Sequence, residues 1–156
     1  MRAEVAQDVF RVLTACRSIE LAMAGLYDEL ATLHDYDPVI AALWKKTSRE
    51  ELNHAAQFLL FIETMSDTIS ATLTEPSTLD RVRRAIENTV EEYRLRPPAV
   101  REAMVAAIDF EESMLALHAD QILVFTTPLC KRLVRAMMAA DRGHVTALRA
   151  ALSKLG

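Results

Sequence analysis

The sequence predicts an all-α domain in which four long helices form two antiparallel hairpins, joined by a crossover that contains a short extra helix. Composition is the first observation, because 3 glycines and 5 prolines among 156 residues leave few sites for hairpin turns. Residues that favour helices, namely Ala, Leu, Glu, Arg and Met, are abundant. An apolar fraction of 51% supports one sizeable core at this length, so residues 1–156 are expected to form a single four-helix-bundle domain.

Turn signals set the boundaries of these helices. Asp37 and Thr127 each precede a proline, which places a capping side chain before a proline at the first helical position. The predicted long helices cover 3–34, 38–66, 98–125 and 128–154, and a shorter helix covers 77–94. The connections at 35–37 and 126–127 are short enough to make each flanking pair an antiparallel hairpin. The stretch 67–97 then crosses between the hairpins.

Each long helix carries one inward-facing stripe of apolar residues at heptad-like spacing. Near the middle of the stripes, polar residues replace the apolar ones: Glu20, Glu51, His54, Glu111, Asp141 and His144. An acid and a histidine three residues apart on a helix project together, so they can bind one ion or each other. Two such pairs occur, in EELNH at 50–54 and in DRGH at 141–144. Glu50 and Asn53 fall on the opposite face of their helix and are expected to face solvent.

The carboxylates of the stripes are predicted to lie at one depth. Residues of an antiparallel hairpin are level when they are equidistant from its turn, and the positions of Glu20 and Glu51 average to about 35.5, inside the first turn. The positions of Glu111 and Asp141 average to about 126, at the second turn. At about 1.5 Å rise per residue each pair lies roughly 23 Å from its turn. Glu112 is the alternative to Glu111, because a π-bulge would shift the helix phase by one residue.

Four carboxylates and two imidazoles buried together would be strongly destabilising without compensation, because each ionised group loses several kcal/mol of hydration. Two divalent cations would remove this penalty. A glutamate from each of two helices with an acid-x-x-His pair from each of the others is the ligand set of di-iron and di-manganese carboxylate bundles. The alternative is a protonated or salt-bridged polar layer without metal.

These residues make the chain similar to the ferritin-like superfamily, and within it to the rubrerythrin-like proteins. The matching segments are ELAMAGLY, EELNH, AAIDFEESMLALH and DRGH, and the resemblance covers all four long helices. It implies that Glu51 and Asp141 bridge two metals and that Glu20 and Glu111 are terminal ligands, so that these four carboxylates take part in catalysis through the metals. His54 and His144 would each bind one metal. The second half of the chain resembles a diverged copy of the first, with Glu111, His118, Asp141 and His144 at the positions of Glu20, Tyr27, Glu51 and His54.

The chain departs from this family pattern at several positions. Asp141 is one methylene shorter than the usual glutamate, which would loosen one bridge or widen the separation of the metals. Gly143 lies inside the last predicted helix and costs about 1 kcal/mol relative to Ala. Tyr27 and His118 are either hydrogen-bonded core residues or partners that orient a ligand, and His118 is also a candidate extra ligand.

The resemblance implies reduction of hydrogen peroxide or oxidation of ferrous iron at two iron ions, with manganese or zinc as alternatives and peroxide, O₂ or Fe²⁺ as substrate. The chain contains no CxxC motif, so a rubredoxin-like centre within these residues is excluded and an external electron-donor protein is expected. A homodimer is expected. The alternatives are ferritin-type iron storage, an oxygenase with an apolar pocket beside the metals, and a non-catalytic metal-binding bundle.

Charge and hydropathy exclude other classes of partner. The formal charge of −4 comes from mixed signs without a basic stripe, so no nucleic-acid partner is expected. No apolar run approaches the roughly 20 residues that a membrane span needs. The first residues lack the basic, apolar and small-residue order of a secretion signal, which predicts a cytoplasmic protein. Cys16 and Cys130 lie among apolar neighbours and are expected to be buried thiols in a reducing compartment.

Overall fold

The computed structural model describes residues 2–117 and 122–156, apart from the side chains at 2, 116, 137, 138, 140 and 141. Over these residues the chain is mostly helical, as the predicted all-α class requires. In chain order the elements are α1 (Arg2–Leu33), α2 (Pro38–Thr64), a 3₁₀ turn (Ser66–Thr68), β1 (Ile69–Thr72), α3 (Pro76–Leu95), α4 (Val100–Ala116), β2 (Leu123–Phe125) and α5 (Pro128–Lys154). No helix among the described residues is long and apolar enough to cross a membrane.

The starts of α2 and α5 confirm the boundaries predicted from the two capping residues. The Asp37 carboxylate accepts hydrogen bonds from the backbone N–H groups of Val39 and Ile40, at 3.1 and 3.2 Å. The Thr127 hydroxyl accepts one from the N–H of Cys130 at 3.4 Å. These N–H groups have no partner within their own helix, so the caps stabilise both starts.

The packing of the helices places their predicted inward stripes in the core. α1 packs against α2 and α3, and α4 packs against α5. The α1–α2 pair reverses direction at 34–37, and within it the Ser48 hydroxyl donates a hydrogen bond to the backbone carbonyl of Ala24 at 3.0 Å. The largest fully buried apolar side chains come from several helices: Leu13, Met23, Leu26, Tyr27, Leu30, Trp44, Leu79, Ile86, Met104 and Leu148. Cys16 and Cys130 are buried free thiols, as predicted.

The predicted end of the third long helix is wrong. That helix, α4, ends at Ala116 rather than at 125, and 123–125 instead forms β2. β2 pairs antiparallel with β1, so that Ile69 lies opposite Phe125 and Thr72 opposite Leu123. Both segments are rich in β-branched and aromatic residues, which favour strands, and each supplies the hydrogen bonds that the other lacks. The pairing of β1 with β2 therefore joins the crossover between the hairpins to the segment that precedes α5. His118 lies in 118–121, outside the described residues.

Candidate metal centre

Four helices bring acidic and imidazole side chains into one buried cluster. α1 contributes Glu20, α2 contributes Glu51 and His54, α4 contributes Glu111, and α5 contributes His144. Glu51 and Glu111 are fully buried, and the other three side chains are at most 7% exposed. These five residues are called the carboxylate–histidine cluster below. Each lies on a polar position of the stripes predicted from the sequence, and Glu20 and Glu51 meet at one level, as their equal distance from the first turn predicts.

The cluster divides into two groups of three candidate ligands that share Glu51. One group is Glu20, Glu51 and His54, and the other is Glu51, Glu111 and His144. Within each group, one donor atom from every residue lies within 4.8 Å of the others. A side chain that belongs to both groups is positioned as a bridge, because a carboxylate has two oxygens that can bind different ions.

The two oxygens of Glu51 face different histidines. Oε1 lies 2.7 Å from Nδ1 of His144, and Oε2 lies 3.3 Å from Nδ1 of His54. The imidazole rings are stacked with their centroids 5.4 Å apart. On the outer sides, Nδ1 of His54 is 3.8 Å from Oε2 of Glu20, and Nδ1 of His144 is 3.7 Å from Oε1 of Glu111. Glu51 is therefore the central member of the cluster.

Several buried donor atoms of the cluster point inward without a hydrogen-bond partner. These are Oε1 of Glu51, Oε2 of Glu111 and Nδ1 of His144. Nδ1 of His144 and Oε1 of Glu51 lie 2.7 Å apart and form an ion pair when the imidazole is protonated, without the geometry of a hydrogen bond. Among the described residues, no lysine or arginine forms an ion pair with Glu51 or Glu111. Buried carboxylate and imidazole atoms that converge without completed hydrogen bonds fit a bound cation.

The pKa values show how the cluster compensates its charge when no metal is bound. Burial opposes the charged form of His144, but the adjacent carboxylates of Glu111 and Glu51 outweigh it and raise its pKa to about 11. Burial also opposes ionisation of Glu51, yet the two histidines hold the pKa of Glu51 well below its usual range. Burial and the charge of Glu51 raise the pKa of Glu111. A proton on His144 thus takes the place that a cation would fill.

Tyr27 is a hydrogen-bond partner of the cluster. Its hydroxyl donates to Oε1 of Glu111, and its ring is fully buried. Burial and the charge of Glu111 raise the pKa of Tyr27 well above its usual value, so the side chain remains a phenol. Tyr27 is thus a hydrogen-bonded core residue whose partner is the candidate ligand Glu111, and its role in orienting that ligand stays a prediction.

Glu112 lies outside the cluster, and two other predicted residues cannot be placed. Glu112 is exposed and forms an ion pair with Arg149, so the structure brings Glu111 and not Glu112 to the candidate centre. The backbone of Asp141 lies in α5, but its side chain is outside the described residues. His118 lies wholly outside the described residues. The roles of Asp141 and His118 therefore stay predictions.

Glu50 departs in part from its predicted solvent-facing position. It was expected to face solvent, but it is half-buried and its Oε2 lies 2.8 Å from Nε2 of His144. Lys46 follows on the outer side, with Nζ 3.5 Å from Oε1 of Glu50. Glu50 is therefore close enough to the outer nitrogen of His144 to act as a carboxylate partner that orients the ring, if His144 binds a metal. Recognising this role requires knowing that α5 packs beside this face of α2, and no sequence pattern gives that neighbour.

Two openings reach the cluster through its histidines. A polar pocket of about 340 Å³ contains both His54 and His144 and is lined by the polar side chains of Lys46, Glu50, Asn53 and Gln57. An apolar groove of about 410 Å³ meets His54 alone and is lined mainly by Leu60, Phe61, Met65, Leu133 and Ala136. The candidate centre is thus accessible to small polar molecules from one side and to apolar ones from another.

Comparison of the chain with protein-family models, with curated proteins and with solved structures finds no match. The donor atoms of the cluster themselves indicate which metals it could bind. Carboxylate oxygens together with imidazole nitrogens suit iron, manganese and zinc, and the absence of a thiolate donor in the described cluster disfavours copper(I) or an iron–sulfur cluster. The buried glutamates and histidines of this chain fit a metal ion, and the sharing of Glu51 fits two.

Proposed function

We propose that the chain is a ferritin-like, rubrerythrin-like di-iron protein, and that its four long helices form a bundle around the carboxylate–histidine cluster. Its proposed activity is reduction of hydrogen peroxide or oxidation of ferrous iron. The observation that carries the proposal is Glu51, whose oxygens face His54 on one side and His144 on the other. Manganese would suit the same donors and the same redox chemistry, whereas zinc would bind without redox activity.

The ligands divide between two metal positions. Glu20 and His54 would hold one ion and Glu111 and His144 the other, with Glu51 between them, and Asp141 is proposed as a second bridge. Bound iron would supply the redox chemistry by alternating between the ferrous and ferric states. His144 gives up its proton when its Nδ1 becomes a ligand, because only a neutral imidazole nitrogen has a free lone pair.

The polar pocket supplies the route for peroxide. Reduction of one hydrogen peroxide to two waters consumes two electrons and two protons, so the centre needs contact with water as well as with a reductant. Lys46, Glu50 and Asn53 line this route with groups that hydrogen-bond water and peroxide. The electrons would come from a separate donor protein or from Fe²⁺ in solution, and the protein is proposed to act as a cytoplasmic homodimer.

Single-turnover oxidation tests this function. The protein is loaded with Fe²⁺ under anaerobic conditions and mixed with hydrogen peroxide or O₂, and ferric iron and remaining peroxide are measured together. We expect one peroxide to disappear for every two irons oxidised, at a rate well above that of free Fe²⁺. Bound iron that reacts no faster than free iron with either oxidant would contradict the proposal and favour a structural or metal-sensing bundle.

The apolar groove favours a second candidate, an oxygenase that acts on an organic substrate. Leu60 and Leu133 are 60% and 45% exposed, and together with Phe61 they form an apolar surface that ends at His54. Ala136→Trp would fill much of the groove while all five cluster residues are kept. If the second candidate holds, this variant loses binding of a small apolar fluorescent probe and substrate oxidation, while peroxide consumption is unchanged. If Ala136→Trp keeps both probe binding and substrate oxidation, the result favours the peroxidase.

A further inference from the structure

A line of aromatic rings leads away from the cluster. Tyr27, whose hydroxyl donates to Glu111, stacks on Trp44 with ring centroids 5.7 Å apart and planes at 20°. Both rings are fully buried. The cluster is therefore connected by a hydrogen bond and a ring stack to the beginning of α2, where Trp44 lies.

The line continues to the surface at the turn between α1 and α2. The Trp44 indole N–H donates to Nδ1 of His34 at 3.0 Å, and the two ring centroids are 6.3 Å apart. The His34 ring meets Tyr36 edge to face at 5.9 Å. All three centroid distances fall in the roughly 4.5–7 Å range of aromatic contact. His34 is 1% exposed and Tyr36 is 70% exposed, so the line ends at solvent.

Each oxidisable buried ring in this line has a proton acceptor at its polar atom. Because Nδ1 of His34 accepts from Trp44, that nitrogen carries no proton, and Nε2 carries the one that it donates to the Pro98 carbonyl at 3.0 Å. Loss of an electron makes a phenol or an indole strongly acidic. Glu111 can hold the proton of Tyr27, and His34 can hold that of Trp44. Such pairing lets both rings give up and regain an electron without moving a proton through the core.

We propose that Tyr27, Trp44, His34 and Tyr36 form a path for single electrons between the metal centre and the α1–α2 turn, where a one-electron donor protein would deliver them. His34 acts as a proton acceptor and spacer and is not itself oxidised. The path rests on the proposed function, since it has a terminus only if a redox metal occupies the cluster. When no donor is present, the oxidising equivalents of peroxide leave by the same path and oxidise Tyr36.

The outward direction gives a covalent product that reports the path. In each of two chains, Tyr36 loses one electron and one proton and becomes a phenoxyl radical. The two radicals couple through a carbon–carbon bond between their rings and form dityrosine. The two electrons and two protons released reduce one hydrogen peroxide to two waters.

The first experiment measures dityrosine in iron-loaded protein treated with peroxide and no reductant. The chain has 3 tyrosines, and because Tyr27 and Tyr93 are buried, a cross-link between chains identifies Tyr36. We expect a fluorescent covalent dimer from the natural sequence and from the control Tyr93→Phe. The dimer should fall to background in Trp44→Phe, although that variant still binds iron and consumes peroxide. Iron content and peroxide consumption are measured on the same samples.

The outcomes separate the path from the function on which it rests. A cross-link that persists in Trp44→Phe shows that Tyr36 is oxidised from solvent and overturns the path. Bound iron and peroxide consumption without any cross-link in the natural sequence also overturn it, while the proposed function stands. Absence of both bound iron and peroxide consumption overturns the proposed function, and the path's role with it.

A second experiment needs neither metal nor a change in the core. A photogenerated ruthenium(III) complex, a one-electron oxidant in solution, is applied to metal-free protein, and loss of tryptophan fluorescence is followed. The chain has 1 tryptophan, so this signal reports Trp44 directly. We expect rapid loss in the natural sequence and protection in Tyr36→Phe, a change at an exposed side chain that leaves the fold intact. Equal loss in both proteins would overturn the path.

Discussion

Nδ1 of His144 lies 2.7 Å from Oε1 of Glu51, which joins the last helix of the chain to the second at a fully buried carboxylate. The other oxygen of Glu51 faces His54 of its own helix. Glu51 is thus the one described residue that both candidate ligand groups contain. Loss of this carboxylate is expected to affect both metal positions, whereas loss of either histidine removes a ligand from one.

Glu51→Gln is expected to abolish tight binding of both metals. The amide keeps the size of the side chain but offers one neutral oxygen, so it cannot bridge two cations or offset their charge. Metal content after anaerobic Fe²⁺ loading and desalting measures the effect. Glu112→Gln is the matched control, because it changes an exposed glutamate of α4 that pairs with Arg149. A Glu51→Gln protein that retains two irons as tightly as the control would refute the assignment.

Glu50→Gln is expected to weaken binding at the His144 position by about 10–100-fold, the usual loss when the outer partner of a ligating histidine is changed. The carboxylate of Glu50 lies 2.8 Å from Nε2 of His144, where it is positioned to orient the ring. The second metal position, at His54, should keep its affinity. Stepwise Fe²⁺ or Mn²⁺ titration resolves the two sites, and equal weakening of both would argue that Glu50 acts on the helix rather than on the ring.

Metal binding is expected to release a proton from His144 near neutral pH. The neighbouring carboxylates outweigh burial and raise the pKa of this histidine to about 11 in the metal-free protein, so it is protonated at pH 7. A ligand must be deprotonated, and each proton displaced makes affinity rise about tenfold per pH unit. Calorimetry in buffers of different ionisation enthalpy, between about pH 6 and pH 8, counts the protons. Release of none would show that His144 is not a ligand.

Stability of the metal-free protein should be highest between about pH 4.5 and pH 6.5. A histidine whose pKa is raised on folding, here from 6.5 to about 11, stabilises fully below the lower value and progressively less as the pH rises. Glu51, whose pKa is lowered from 4.5, contributes above that pH and loses its contribution in acid. Glu111, whose pKa burial raises above 4.5, contributes fully below pH 4.5 and loses its contribution as the pH rises through its raised pKa, so it favours the acid end of this range.

Thermal unfolding in the presence of a chelator, from about pH 4 to pH 10, measures this profile. In His144→Gln the alkaline decline should become shallower, because the group that loses its proton is gone. A melting temperature that does not fall on the alkaline side in the natural sequence would show that His144 and Glu51 do not interact as the distance between them indicates.

The sequence predicted those parts of the fold and cluster that depend on local signals and simple geometry. Asp37 and Thr127 marked helix starts because capping is a local hydrogen-bond pattern, and Glu20 and Glu51 met because hairpin residues equidistant from a turn are level. Two features depended on distant neighbours and were missed. The segment 123–125 is a strand only because β1 lies beside it, and Glu50 faces α5 only because that helix packs there.

The measurement that tests the central claim most directly is the number of metal ions bound per chain. Anaerobic protein is titrated with Fe²⁺, desalted and analysed for iron and protein, and the oxidised product is examined by Mössbauer spectroscopy. We expect two irons per chain and a coupled diferric signal, since Glu51 lies between both ligand groups. Fewer than one iron per chain after anaerobic loading would contradict the di-metal centre and leave a salt-bridged polar layer as the role of the cluster.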